Sequence, residues 1–203
     1  MLGSMNTLMA RAQKLVTRRA VIRSKDFDAQ GIPRAYLRRL VQAGQLERVS
    51  RGIYNSALSG STEHQTLLEV SHKVPHAVVC LSSALRFHNL TTENPFEVWI
   101  ALRRGAWAPK STYPPIRVVW MSSPALEFGI EEHKVKGGTL RIYSPAKTVA
   151  DCFKFRTRVG LETAIQALRE SFHEKRATMD QLWEAAKVCR VANVMRPYME
   201  SLQ

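Results

Sequence analysis

Apolar residues recur at Leu8, Ala12, Leu15 and Val16, the spacing of one helix face, which predicts a first helix across Thr7–Thr17. Ser24 is a good N-cap, Asp26 and Asp28 follow it and Gly31 stands in the C′ position, so Lys25–Gln30 reads as a short second helix. Ile32-Pro33 opens a third helix with proline at its first position, where a missing N–H costs nothing, and Gly44 closes it. Leu46–Ser50 and Ile53–Asn55 then flank Arg51-Gly52 as two strands of a small hairpin around a glycine turn.

Beyond Ser56 the pattern changes. Glu63–Lys73 is amphipathic and stops before Pro75, His76–Leu81 reads as a buried strand, and Ser82 or Ser83 caps a short helix over Ala84–His88. Phe96–Leu102 and Ile116–Met121 are rich in β-branched and aromatic residues, and His133–Lys136 and Thr139–Tyr143 flank Gly137-Gly138 as a hairpin. From Ser144 the period turns helical. Ser144-Pro145 is an N-cap with proline behind it, Leu161, Ile165, Leu168 and Phe172 form one stripe, Thr178 and Gln181 fit a capping box, and the last segment, Val191–Leu202, is expected to break at Pro197. The fold class expected is α+β: an N-terminal winged helix-turn-helix, then a mixed α/β domain with C-terminal helices. The Ser/Gly cluster Ser56–Thr62 sets the expected boundary, giving residues 5–58 and 59–203, with residues 1–4 read as a cloning scar before Met5.

Charge sharpens this division. The chain carries 30 Lys and Arg against 17 Asp and Glu, a net charge of +13. Up to Ser56 there are 11 cations and 3 acids, so about a quarter of the chain holds +8 of the excess, and nine of those cations are Arg. Arginine forks onto phosphate and onto guanine edges, and a plain solvated face mixes its signs. With about 100° per residue, Leu37, Leu40 and Val41 of the third helix point one way with Pro33 beside them. Ala35, Arg38, Arg39 and Gln42 occupy the opposite arc, flanked by Arg34 and Tyr36. A helix reading the major groove needs such a face: Arg for guanine or phosphate, Gln for adenine, a small residue for close approach. Arg48 and Arg51, with Gly52 at the turn, put two more cations on the hairpin, where a wing is expected to touch the DNA backbone or minor groove.

The skeleton Arg39-Leu40-Val41, Gly44, Leu46, Arg48-Val49, Arg51-Gly52 and Tyr54 resembles the N-terminal winged-helix domain of the AbiEi antitoxins of type IV toxin–antitoxin, or abortive-infection, systems. Ser83-Ala84-Leu85, His88 and Leu90-Thr91 are similar to a segment of the AbiEi C-terminal domain, with Asn89 where glycine is usual. Ser144-Pro145, Thr148 and Asp151 are similar to a helix start in that domain, with Lys147 replacing Arg. The resemblance implies an autoregulating repressor that binds inverted repeats in an operator. It also implies that the C-terminal half counteracts a cognate nucleotidyltransferase-like toxin encoded next to it.

Other chemistries find less support. His72 and His76 are four apart with Pro75 between them, no HExxH or paired Cys accompanies them, and no metal site is expected. Glu132-His133-Lys134 is the E-x-K triplet of metal-dependent nucleases, yet no Asp occurs between Ala29 and Ala150 to complete it. Ten glycines form no phosphate loop, Ser82 and Ser83 lack a nucleophile elbow, and no cofactor is expected. The working expectation is a DNA-binding regulator rather than an enzyme. The alternatives are a winged-helix module for protein or RNA and, more remotely, the nuclease. Arg103, Arg104 and Trp107 form a basic loop that either meets a partner or tucks its Trp inward. The longest apolar runs, Ala77–Leu81 and Val98–Leu102, have five residues each, far short of the roughly 20 of a membrane span. Cys80, Cys152 and Cys189 form no CxxC, in keeping with a cytoplasmic protein.

Overall fold

The apolar stripe of the first helix finds its partner in the two short helices that follow. The computed structural model describes residues 2–58, 64–111 and 113–202, and Ser59–Thr62 of the expected linker lies outside them. In the first of two compact units, residues 1–75 with 134–140, α1 (Leu2–Arg18), α2 (Ser24–Ala29) and α3 (Ala35–Gln42) share one core. Ala12, Val16, Phe27, Ile32, Leu37 and Leu40 are its buried members. Burial on this scale stabilises by about 2 kcal/mol for each large side chain.

The turns that aim α3 are written in two glycines. At the end of α2, Gly31 N–H bonds to Asp28 O and Ile32 N–H to Phe27 O. At the end of α3, Gly44 N–H bonds to Val41 O and Gln45 N–H to Leu40 O. Both are Schellman closures, and they need the left-handed φ of +64° at Gly31 and +67° at Gly44. The third helix starts at Ala35 rather than at Ile32-Pro33. Tyr36 N–H to Pro33 O and Leu37 N–H to Arg34 O make a tighter turn ahead of it.

The hairpin of β2 (Leu46–Ser50) and β3 (Ile53–Ser56) lies on either side of the glycine turn that predicts it. A third strand, β1 (Val21–Arg23), pairs antiparallel with β3 and makes the order β1-β3-β2. Three residues are too few to display a period, which is why the sequence did not disclose it. α4 (Gln65–Lys73) packs against β1 and β3, and Asn55 Nδ2 donates to Glu69 Oε1 at 2.7 Å. The first unit thus extends to Pro75, past the Ser/Gly cluster.

The second unit, residues 76–133 and 141–203, is α+β. The five-stranded sheet has β4 (Val78–Val79), β5 (Val98–Arg103), β6 (Ile116–Met121), β7 (Ile130–Val135) and β8 (Gly138–Tyr143) in the order β6-β5-β4-β8-β7, and of these strands only 134–135 of β7 and 138–140 of β8 are counted in the first unit. β4 runs antiparallel to β5 and parallel to β8, and β5 is parallel to β6, so the sheet is mixed. The helices are α5 (Leu81–Phe87), α6 (Ser123–Glu127), α7 (Pro145–Lys154), α8 (Arg156–Val159), α9 (Leu161–His173), α10 (Met179–Cys189) and α11 (Ala192–Glu200).

Several expectations change here. The strand predicted over 76–81 is only two residues long, because Leu81 already begins α5. Ser83 does not cap that helix: it is buried, and its hydroxyl accepts the Trp99 N–H at 3.0 Å, tying α5 to β5. The last helix continues through Pro197 instead of breaking there. Pro197 is exposed, so water can reach the carbonyl it leaves free, while Met195 and Met199 hold the helix down. Ser144 and the Thr178/Gln181 box do cap α7 and α10 as their residue types require.

Candidate nucleic-acid interface

α3 separates its residues cleanly by environment. Tyr36, Leu37 and Leu40 are buried, whereas Arg34 at its N-cap, Ala35, Arg38, Arg39 and Gln42 are exposed. Tyr36, expected to flank the exposed arc, lies on the buried side instead. Its ring carries a large apolar area that burial removes from water. The Arg39 guanidinium lies 5.2 Å from the centre of that ring, which orients the cation along the helix surface.

On the hairpin Arg48 and Arg51 are exposed. Gly52 is half-buried, its φ of +78° makes the turn, and its carbonyl accepts the Ser24 N–H at 2.9 Å. The tip is thereby fixed to the start of α2, and the turn itself is sufficient reason for that glycine.

Carboxylates decide which cations stay available. Asp26 pairs with Arg19 at 3.2 Å and with Arg23 at 3.7 Å, and accepts the Arg23 backbone N–H at 2.7 Å. Asp28 is gripped by both arms of Arg34, at 3.0 and 2.6 Å, and that hydrogen bonding holds its carboxyl below the usual value. Of the predicted set, Arg34 is thus committed to an intramolecular pair on the surface. Arg38, Arg39, Arg48 and Arg51 take part in no ion pair among the described residues. Four of the unit's exposed cations thus stand together on one helix and the hairpin after it, while Arg11, Lys14, Arg18 and Lys25 are exposed on α1 and α2.

His72 of α4 lies in the same unit. Burial, reinforced by the charge of Arg23, lowers its pKa to about 4, and its Nε2 has no hydrogen-bond partner among the described residues. It is held as a neutral ring. His76 lies beyond the end of that helix and is exposed, so the pair is not presented on one helical face.

In the second unit, the loop between β5 and β6 carries Trp107 with 94% of its surface exposed, which decides between the two readings of that residue in favour of the outward one. The Trp120 indole donates to Ala106 O at 2.9 Å and anchors the loop beside it. Arg103 reaches Glu127 at 3.4 Å, and Arg104 is exposed. Glu132 and Lys134 of the E-x-K triplet are each exposed on β7.

Sequence reasoning gave only local roles to the residues at the start of α7. Lys147 and Asp151 have no exposed side-chain surface, and Nζ meets Oδ2 at 2.5 Å. Lys147 also lies 4.0 Å over the Tyr143 ring, Cys189 Sγ donates to Asp151 Oδ1 at 3.3 Å, and Thr148 Oγ1 donates to Tyr143 O at 3.2 Å. Burial raises the Asp151 carboxyl against the opposing pull of Lys147, and pushes the Cys189 thiol up to about 12. A protonated, buried thiol is unreactive. The i, i+4 spacing was the available signal, but an alternation of charge on a helix more often marks a solvated face.

An α+β chain with a cationic helix face followed by a cationic hairpin fits the class of nucleic-acid-binding regulators. Residues 11–57 match the model of a family described as transcriptional regulator, AbiEi antitoxin, which supports a DNA-binding regulatory role for that segment. The fold is similar to the crystal structure of the RV2827C protein from Mycobacterium tuberculosis, with a TM-score of 0.58 and 14% identity over 97% of this chain and 80% of that one. No curated protein matches the sequence. No helix among the described residues is long and apolar enough to cross a membrane.

Proposed function

We propose that the first unit is a winged helix-turn-helix that reads duplex DNA, and that the protein is the autoregulating antitoxin of a type IV toxin–antitoxin system. α3 is the reading helix. Arg38 and Gln42 address base edges, Ala35 allows close approach, and Arg39 meets phosphate. Arg48 and Arg51 of the wing hold the DNA backbone, and Arg34, engaged with Asp28, braces the helix start. The observation that carries this reading is the absence, among the described residues, of ion-pair partners for Arg38, Arg39, Arg48 and Arg51, while both Asp residues of the segment serve Arg19, Arg23 and Arg34.

The test is binding to the chain's own upstream region. Neutralising on the order of six phosphates implies a log–log salt slope of about −5, with an inverted-repeat operator preferred over scrambled duplex. A salt-insensitive affinity, or equal affinity for both duplexes, overturns the repressor. The antitoxin half rests on the family match and on the two C-terminal segments similar to AbiEi proteins. In that half the exposed Arg104–Trp107 loop, with Arg103 beside it, is a partner surface. Coexpression with a nucleotidyltransferase-like protein encoded beside it should restore growth, and continued toxicity with both proteins expressed overturns that half alone.

A further inference from the structure

Away from the basic face, three metal-ligating side chains meet in the second unit. Glu131 and His133 are two apart on β7 and share one face of the strand. His88 comes from the C-cap of α5, where Asn89 N–H bonds to Arg86 O and Leu90 N–H to Leu85 O. That closure needs a left-handed residue. Asn89 supplies it at φ +58°, so the departure from glycine at this position is conformationally satisfied and fixes where His88 points. One ligand atom from each of His88, Glu131 and His133 lies within 4.8 Å of the others.

We infer that His88, Glu131 and His133 form a binding site for a divalent transition-metal ion of the Zn2+ type. Two imidazoles and one carboxylate are a donor set of borderline softness, suited to zinc rather than to calcium or magnesium, and three protein ligands leave a fourth tetrahedral position for solvent. His88 Nε2 lies 2.8 Å from Tyr143 O, so a proton on Nε2 donates to that carbonyl and Nδ1 keeps its lone pair for an ion. A backbone carbonyl is a usual outer partner of a metal-bound histidine.

His133 Nε2 and Glu131 Oε2 are already 2.9 Å apart, and the two imidazole centroids are 5.7 Å apart with no hydrogen bond between the rings. Ligands about 2.1 Å from a tetrahedral ion sit roughly 3.4 Å from one another, so holding an ion requires these side chains, now within 4.8 Å, to rotate closer. Phe87 packs edge-on against both rings, at 5.3 Å from His88 and 4.9 Å from His133, and forms an apolar wall behind them. The site departs from the sequence expectation of no metal. It is also distinct from the E-x-K triplet, whose Glu132 faces away from Glu131 and His133 along the strand.

Isothermal titration of the full chain, purified free of metal, should show one saturable Zn2+ site. Co2+ as the probe should give the intense visible bands of tetrahedral nitrogen and oxygen ligation without a thiolate charge-transfer band. His88→Ala and His133→Ala should each weaken Zn2+ binding at least about 100-fold, beyond the 10–100-fold that outer partners cost, while His76→Ala leaves it unchanged. Glu131→Gln keeps the side-chain volume, so the loss of the Zn2+-induced rise in melting temperature in this variant reads binding even where a histidine variant fails to fold. Absence of saturable binding, thiolate bands with Co2+, or unchanged affinity in Glu131→Gln overturns the site.

Discussion

Arg38, Arg39, Arg48 and Arg51 of the first unit stand in water outside any ion pair among the described residues, whereas Lys147 of the second is withdrawn from water and answered by Asp151, Tyr143 and Met121. The same kind of charge serves two purposes. An exposed cation with no carboxylate beside it costs the fold little and remains available to phosphate. A buried one demands a partner, because taking it out of water costs several kcal/mol that only close pairing offsets. The pair Arg34–Asp28 lies between these cases: bidentate, but in solvent.

The comparison breaks most sharply at the buried pair. Asp151→Ala leaves Lys147 uncompensated and should cost about 3–5 kcal/mol in thermal or urea unfolding, whereas Lys147→Met with Asp151→Leu should recover most of it. If the single and double variants melt alike, burial of the charge is not what the pair opposes.

The next effect is pH-dependent and belongs to the first unit. His72 is depressed to about 4 in the folded chain from about 6.5 unfolded, so its stabilising effect is complete above pH 6.5 and falls away as the unfolded state takes up a proton between 6.5 and 4. Allowing for its partial exposure, the loss is about 2 kcal/mol. Urea midpoints followed from pH 7 to pH 4 should show it, and His72→Leu should flatten that part of the profile.

Base reading comes third. Arg38→Ala and Gln42→Ala should each cost about 1–3 kcal/mol on the preferred duplex and less on random DNA, while Arg51→Ala should weaken both alike and reduce the salt slope by about 0.9. Equal losses on both duplexes for Arg38→Ala would show that it meets phosphate instead.

The smallest effect tests the intermediate case. Asp28→Asn frees Arg34 from its grip, so duplex affinity should rise a few-fold, with a steeper salt slope, and thermal stability should change too little to resolve.

Much of this organisation is legible along the chain, for identifiable reasons. Gly31 and Gly44 are local signals, since a left-handed C′ residue is chosen by the turn it makes, and both helix ends fall where those glycines stand. Ser144 and Thr178 are equally local caps. What stayed hidden was short or distant. β1 exists because β3 offers an edge to pair with, and His88 meets Glu131 and His133 across more than 40 positions of sequence. Pro197 misled because its neighbours in space, rather than its residue type, hold the helix together around it.

By itself the sequence determined where α2 and α3 end and where α7 and α10 begin, that the first quarter carries most of the cationic excess, and that Arg38, Arg39 and Gln42 share a helix face, because capping, charge and periodicity are properties of adjacent residues. Only the tertiary structure decided which of those cations remain unpaired, that Lys147 is a core residue, and that two histidines and a glutamate converge. Desolvation and ligation depend on groups the fold brings from elsewhere in the chain, and no local spacing encodes them.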